Sequence, residues 1–315
     1  MEESQFLFDP KRFRPISLAD QEEIFPILRA SSAKSCEFAF GNLYSWKTHT
    51  GLLWQKAFGR LYFYYEDVDK LAFSVGEEEA SYPSPEELAA VSSSMKKVLG
   101  ASGDYFVVPG CVVEKGSKEE WEKFFSIAPA PDDELEYIYK LQDLLKLPGK
   151  QLAKKRNLIS QFHKNFPSAI LEEIGKENLS GIAGLAAEWA KEHLHHELEA
   201  HEEIYMEQKA IELALESFSS LHARGVLLKN EGKPIAFAVG YPITDKIWAE
   251  PFEKALPNYK GASQTSLQAL ADLLQKEGCL LLNREQDMGL EGLRKAKRSY
   301  QPEELLLTYH LHYRQ

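Results

Sequence analysis

Hydrophobic residues occur in short runs along the first half of the chain, and their spacing predicts strands alternating with helices. Apolar runs rich in β-forming residues predict strands at 13–18, 52–54, 60–65, 70–75, 105–108 and 134–141. Helices are predicted at 21–28, 86–99 and 118–126, and residues 127–133 form a predicted loop. The aromatic-rich residues 36–50 predict a buried helix with its flanking loop. Asp20 suits an N-cap before the first helix, and Gly100 suits the end of the helix at 86–99.

The second half shows a similar order of predicted elements. Strands are predicted at 169–174, 225–229, 235–241, 247–252, 279–283 and 305–313. Helices are predicted at 151–166, 179–196, 202–224, 263–276 and 291–298. Glu231-Gly232 is a hairpin signal between two of these strands. The repeated order predicts an α/β (α+β) protein with two tandem domains, at 1–147 and 148–315.

Length, charge and cysteine content narrow the class of protein. A chain of 315 residues favours two domains, because single cores rarely grow beyond about 250–300 residues. The net charge of −11 argues against a bulk DNA-binding surface. We find no apolar run near the ~18 residues of a membrane span, and no secretory signal at the N-terminus. Three scattered cysteines indicate a reducing compartment. We therefore expect a cytoplasmic protein without a membrane span.

Basic residues nevertheless form two local groups in the second half. One group is Lys146, Lys150, Lys154, Lys155, Arg156 and Lys164, and the other is Arg284, Arg294, Lys295, Lys297 and Arg298. Each group alone is typical of a solvated helix face. Both together in an acidic chain favour a phosphate-bearing ligand.

Three segments carry a resemblance to a known family. They are residues 35–46 (SCEFAFGNLYSW), 154–157 (KKRN) and 283–297 (NREQDMGLEGLRKAK). They resemble a bacterial family of uncharacterised proteins that is similar to the C-terminal catalytic domain of phosphatidylglycerol lysyltransferases. The resemblance covers nearly the whole chain. It implies two acetyltransferase-like (GNAT) domains, each a mixed central sheet flanked by helices.

The resemblance also implies a function. Related proteins transfer an amino acid from aminoacyl-tRNA, so we expect an acyl- or aminoacyltransferase with an amine or hydroxyl acceptor. The expected co-substrate is aminoacyl-tRNA or acyl-CoA, and no tightly bound cofactor is expected. An acetyl-CoA-dependent N-acetyltransferase and a non-catalytic scaffold protein of the same fold remain alternatives.

Residues 258–263 (NYKGAS) resemble the loop with which acetyltransferases bind the pyrophosphate of acetyl-CoA. Gly261 matches the glycine of that loop, which lets backbone N–H groups approach an anion at a helix N-terminus. A strand-to-helix turn that needs a glycine is an equally good interpretation. The corresponding residues 75–80 of the first half are acidic and would repel a phosphate, so we expect the donor site in the second domain.

The predicted site lies where two strands of the second domain end, since ligands bind at such places in α/β sheets. Pro251 cannot donate a ladder hydrogen bond and therefore predicts an edge or a bulge that separates the strands. A carboxylate at this point could deprotonate an attacking amine, and a phenol could return a proton. The candidate catalytic residues are Glu250, Glu253, Asn283, Glu285 and Tyr300. Solvated carboxylates and a packed tyrosine are the alternative.

Cofactor-binding candidates surround these residues. They are Asn258, Tyr259, Lys260, Gly261, Arg284, Arg294, Lys297, Lys154 and Arg156. A guanidinium group such as that of Arg284 can hold a phosphate or a carboxylate. The dense histidines at 193, 195, 196 and 201 lack metalloprotease spacing, and we interpret them as a solvated helix end rather than a metal site.

Overall fold

Two mixed β-sheets form the centre of the protein. A computed structural model describes residues 8–76, 82–194 and 201–314. The first sheet contains β1 (Arg14–Pro15), β2 (Leu52–Ala57), β3 (Arg60–Tyr65), β4 (Lys70–Ala72), β5 (Val75–Gly76), β6 (Asp104–Pro109), β7 (Phe125–Pro129) and β15 (Thr308–Tyr313). Its strand order is β1-β2-β3-β4-β6-β15-β7, and β5 also pairs with β3.

The second sheet repeats this plan with longer strands. It contains β8 (Glu136–Lys140), β9 (Ala169–Glu173), β10 (Arg224–Asn230), β11 (Lys233–Pro242), β12 (Ile247–Ala255), β13 (Leu281–Asn283) and β14 (Glu304–Leu306). The strand order is β14-β8-β13-β12-β11-β10-β9. The predicted hairpin between β10 and β11 is confirmed, and both Glu231 and Gly232 have the positive φ of a tight turn.

Helices cover both sheets. They are α1 (Gln21–Ala30), α2 (Phe40–Ser45), α3 (Lys47–Thr50), α4 (Pro85–Leu99), α5 (Gly110–Lys115), α6 (Lys118–Glu122), α7 (Leu141–Lys146), α8 (Ala153–Asn165), α9 (Leu179–Leu194), α10 (His201–Glu216), α11 (Ala262–Lys276) and α12 (Glu291–Arg298). Ser84 and Glu87 cap the start of α4, and Gly100 ends it in the left-handed region. Within the described residues, each helix is too short or too polar to cross a membrane.

Strand pairing crosses the predicted division at residue 147 in both directions. β8 lies before residue 147 but pairs with β13 and β14 of the second sheet. β15 lies at the end of the chain but pairs with β6 and β7 of the first sheet. Each sheet therefore contains one strand from the other half of the chain. The ranges 1–147 and 148–315 stay a prediction.

Four predicted elements had wrong bounds. The predicted helix at 118–126 stops at Glu122, and the predicted loop at 127–133 begins as strand β7, because β15 pairs along it. The predicted helix at 202–224 stops at Glu216. The predicted strand at 305–313 is divided at Leu307 into β14 and β15, which belong to different sheets.

The largest hydrophobic cluster joins the two halves of the chain. Helix α2 is buried throughout, and Phe40 and Tyr44 share this cluster with Tyr241 and Phe252 of the second sheet. A Cβ atom at Gly41 would lie 2.2 Å from the ring of Tyr241, so only glycine permits this close approach. The buried helix predicted within residues 36–50 is therefore packed against both halves.

Candidate functional site

Strands β12 and β13 separate at the position that the proline predicts. They pair in parallel from Ile247 to Ala249, and the pairing ends at Asn283. On the other side of β12, Val239 pairs with Phe252 and Tyr241 with Ala249, so Glu250 and Pro251 together face a single residue of β11. This arrangement is a β-bulge, which bends the strand away from its neighbour. The predicted bulge at Pro251 is confirmed.

Arg284 fills the opening between the separated strands. Its Nε donates to Glu250 Oε2, and its Nη2 donates to Glu253 Oε2. The side chains of Arg284, Glu250 and Glu253 are 10%, 2% and 15% exposed. The guanidinium carbon lies 5.3 Å from the ring centroid of Tyr300, over its face. One cation is thus held between two carboxylates in a largely dry site.

Glu250 is the carboxylate with the most perturbed surroundings in this opening. Burial raises its pKa to about 7, although the neighbouring Arg284 favours the charged form. Its second oxygen, Oε1, is buried and has no hydrogen-bond partner among the described residues. Glu253 differs, because its Oε1 accepts a hydrogen bond from the hydroxyl of Ser263 at 2.5 Å. Glu250 can therefore accept a proton near neutral pH.

The loop after β13 is fixed by Lys297 and Asp287. The buried Nζ of Lys297 donates to the carbonyl oxygens of Arg284 and Gln286 at 2.5 and 2.6 Å. Burial and the charge of Arg284 lower the pKa of Lys297 to about 8. Asp287 Oδ2 accepts from Nε of Arg294 at 2.7 Å. Two of the predicted cofactor-binding residues, Arg294 and Lys297, thus use their charged groups to hold this loop.

A second buried carboxylate group lies beside this loop. Glu136 on β8 accepts hydrogen bonds from Ser35 Oγ at 2.5 Å and from the backbone N–H of Cys36 at 2.8 Å. Asn283 Nδ2 donates to Glu136 and to the carbonyl oxygen of Lys34. Burial raises the pKa of Glu136. The predicted catalytic residue Asn283 therefore joins the loop after β13 to the first half of the chain.

Glu285 and Glu37 extend the acidic region. Glu285 accepts from Asn42 Nδ2 at 2.6 Å, and Glu37 accepts from the hydroxyl of Tyr65 at 2.9 Å. Burial raises the pKa of each carboxyl to about 7. Glu285 also has φ of +59°, an uncommon conformation for a residue other than glycine. Such backbone strain is concentrated at functional sites.

Sequence reasoning missed Glu136 and Glu37. A glutamate within the apolar strand at 134–141 was the available signal, because a charged residue in a central strand is rarely buried without a role. The signal for Glu37 was its place in segment 35–46, one of the three segments that carry the family resemblance. Two residues of that segment contact the third segment: Asn42 donates to Glu285, and Gln286 donates to Cys36 Sγ.

The glycine turn before α11 is covered by α8. Gly261 has φ of +95° and serves as the N-cap of α11. A Cβ atom there would lie 2.4 Å from the carbonyl oxygen of Leu158. Tyr259 packs on Phe166, while Asn258 and Lys260 are exposed. Close packing against α8 explains the glycine, and anion binding by residues 258–261 stays a prediction.

The basic residues of α8 have three different surroundings. Lys154 is exposed. Arg156 donates to the carbonyl oxygens of Leu147 and Gly149, and so fixes the turn before α8. Lys155 Nζ lies 4.0 Å from the ring centroid of Tyr300, which places the start of α8 beside the end of α12. Donor binding by Lys154 and Arg156 stays a prediction.

The histidines of the α9–α10 region lie largely outside the described residues. Residues 195–200 are not described, and neither are the side chains at 193 and 201. In the part of the chain that is described, no group of histidine, cysteine or carboxylate side chains is arranged to hold a metal ion.

A sequence model of the C-terminal part of phosphatidylglycerol lysyltransferase matches residues 29–312. The chain belongs to this family. A search of curated proteins found no match. Membership of the lysyltransferase C-terminal family confirms the resemblance and, together with the fold, supports an acyl- or aminoacyltransferase class.

Three solved structures show how widely this lysyltransferase fold is shared. A conserved protein of unknown function from Bacteroides thetaiotaomicron has a TM-score of 0.86 and 26% identity, over 96% of this chain and 99% of that one. L-PGS from Bacillus licheniformis has a TM-score of 0.62 and 14% identity, over 93% and 91% of the chains. FemX has a TM-score of 0.60 and 8% identity, over 95% and 96%. The predicted tandem acetyltransferase-like fold is confirmed.

Proposed function

We propose that this protein transfers an aminoacyl group from aminoacyl-tRNA to an amine or hydroxyl acceptor in the cytoplasm. The supporting observation is the buried Glu250–Arg284–Glu253 group at the opening between β12 and β13. Its two carboxylates face one guanidinium group, and Glu250 Oε1 has no partner among the described residues. A buried excess of negative charge favours a cationic ligand, and the α-ammonium of an aminoacyl group is cationic.

The chemistry follows from the proton affinity of Glu250. An acceptor amine attacks the ester carbonyl carbon of the donor, a C–N bond forms, and the bond to the ribose oxygen breaks. Glu250 takes the proton that the amine loses, and the ribose hydroxyl leaves with a proton. A carboxylate with a pKa of about 7 is suited to this step. Tyr300 lies beside Arg284 and is the candidate proton donor.

The choice of tRNA over coenzyme A rests on the surface around the opening. Coenzyme A would need the backbone N–H groups of the turn at 258–261 to bind its pyrophosphate. The carbonyl oxygen of Leu158 packs against Gly261 in that turn, which disfavours the approach of an anion. Exposed Lys154 on α8 and Lys295 and Arg298 on α12 lie on the two helices that meet at Tyr300. Basic residues on the outside of a site suit a polymeric phosphate backbone.

The test compares two donors and one substitution. We expect charged tRNA to bind in calorimetric titrations with a salt-dependent affinity, and acetyl-CoA to bind weakly. With hydroxylamine as a small acceptor, the protein should form the aminoacyl hydroxamate faster than charged tRNA alone does. Glu250→Gln should reduce that rate by about 100-fold or more. The matched control Glu277→Gln alters a surface carboxylate paired with Arg224 and should leave the rate unchanged.

Two results would overturn the proposal. Tight binding of acetyl-CoA without binding of charged tRNA would favour an N-acetyltransferase. No binding of either donor to the folded protein would favour the scaffold alternative.

A further inference from the structure

The first sheet contains a second opening, which holds a cavity of about 460 Å³. Strands β4 and β6 pair in parallel as far as Ala72 and Phe106, and then separate. A bulge in β6 adds to the separation, and Val107 within it has φ of +57°. This conformation is rare for a β-branched residue, so the surrounding fold must enforce it. The cavity has the size of a small-ligand pocket.

The cavity has apolar walls and open strand edges. Phe38, Phe73, Val75, Tyr82 and Tyr309 are among its lining residues. Val75 pairs with β3 on one side, while β6 pairs with β15 on its far side. Within the described residues, the last backbone hydrogen bond across the opening runs from Phe73 N to Phe106 O at 3.0 Å. Beyond it, two strand edges face each other with room for an extended amide chain, which can pair with both.

A phosphate-bearing donor does not suit this opening. The helix that follows β5 is α4, and its N-terminus is already capped. Ser84 Oγ accepts from the N–H of Glu87, and Glu87 Oε2 accepts from the N–H of Ser84. Pro85 has no N–H to offer, and Glu86 adds a second negative charge. An anion would therefore meet carboxylates where a pyrophosphate needs free donors.

We propose that this cavity binds the acceptor as an extended, peptide-like chain with an apolar side chain and a free amine. The carboxylates of Glu114 and Glu304 line the cavity, as do the cations of Lys34 and Arg60. Glu304 is paired with Lys34 at 2.7 Å, so Glu114 is the carboxylate that favours a cationic amine. The inner wall of the cavity includes Ser35, which donates to Glu136, and Glu136 accepts from Asn283. This chain of hydrogen bonds links the wall of the cavity to Asn283, the residue before Arg284. The role of this ligand as the acceptor rests on the proposed function, whereas the binding of a peptide-like chain in the cavity does not.

Cys111 provides a direct readout, because it lines the cavity and is exposed. The other two cysteines, Cys36 and Cys279, are buried, and burial raises the pKa of both thiols. A disulfide reagent such as dithiobis(nitrobenzoate) should therefore label Cys111 first. The probes are nineteen free-amine tripeptides Ala-Xaa-Ala, with every residue except cysteine as Xaa, their N-acetylated forms, and acetyl-coenzyme A, whose thiol is blocked.

We expect tripeptides with an apolar central residue to slow the labelling of Cys111, and their acetylated forms to bind more weakly. Gly110→Leu should fill the cavity and weaken peptide binding by roughly tenfold or more in calorimetry. A Cβ atom at Gly110 meets only Tyr309, at 3.5 Å, so the fold should tolerate the change. The matched control is Gly184→Leu on α9, where a Cβ atom meets nothing within 4 Å.

The outcomes separate this proposal from the proposed function. Protection of Cys111 that Gly110→Leu abolishes supports the cavity as a peptide site, even if no aminoacyl transfer is detected. Transfer to a tripeptide that Gly110→Leu leaves unchanged would overturn the cavity while leaving the function intact. Protection by acetyl-coenzyme A but by none of the tripeptides would also overturn it, as would protection by no probe.

Discussion

Replacing Gly261 by alanine tests whether α8 is held against the start of α11. The new Cβ atom would lie 2.4 Å from the carbonyl oxygen of Leu158 and 2.9 Å from Cβ of Phe162. A positive φ costs alanine about 1–2 kcal/mol relative to glycine. Moving the α8 backbone away costs a further ~1–3 kcal/mol, typical of overpacked cores. We therefore expect the free energy of unfolding to fall by roughly 2–5 kcal/mol.

Gly278→Ala is the matched control at the other end of α11. Gly278 has φ of +85°, and a Cβ atom there meets nothing within 4 Å. In this variant, the positive φ alone should lower the free energy of unfolding, by about 1–2 kcal/mol. The difference between the two variants therefore measures the contact with α8 alone.

Urea unfolding followed by circular dichroism supplies both values. If Gly261→Ala costs no more than Gly278→Ala, α8 does not pack rigidly on the turn, and the explanation of Gly261 by packing is wrong. The turn would then be free to receive an anion. Acetyl-CoA titration of the folded Gly261→Ala variant would show whether it does so.

Three further predictions concern the site and the two halves. The rate of aminoacyl transfer should rise about tenfold per pH unit below pH 7 and level off above it, because Glu250 acts as a base only when it has lost its proton. A flat profile of rate against pH between pH 6 and 8 would exclude Glu250 as the general base. Lys297→Met should lower the free energy of unfolding by about 2–4 kcal/mol, because it leaves two carbonyl oxygens of the loop unpaired. The control Lys295→Met, on the exposed face of α12, should change the free energy of unfolding by less than about 0.5 kcal/mol. Equal effects of the two variants in urea unfolding would contradict a structural role for Lys297. Fragments 1–147 and 148–315 should not fold alone, because each loses a strand that its sheet contains, and a cooperative thermal transition of either fragment would show otherwise.

Local patterns account for most of what the sequence could predict. The capping residues of α4, the turn at Glu231-Gly232 and the bulge at Pro251 each depend on a few neighbouring residues. Their physical causes are a capped helix end, a positive φ and a missing N–H. Such causes can be found in one sequence without knowledge of the fold.

Pairing between distant strands could not be found in this way. β7 ends in Ala128 and Pro129, which belong to the predicted loop at 127–133, and it forms a strand because β15 from the far end of the chain pairs along it. The exchange of β8 and β15 between the sheets depends on contacts across more than 100 residues. Glu136 belongs to the buried carboxylate group only because β8 lies in the second sheet, next to β13.

The two openings show how one topology serves different chemistry. In both sheets a parallel pair separates at a bulge, at Val107 in the first and at Pro251 in the second. In the second sheet, the residue that follows the last paired position is Arg284, and its guanidinium group brings two carboxylates into the opening. In the first sheet, the corresponding residue is Val107, and the cavity beside it is lined by apolar residues together with charged ones such as Glu114. If the proposed function is correct, the fixed charges of the second opening serve the reacting groups, and the cavity of the first sheet supplies contact area for the acceptor.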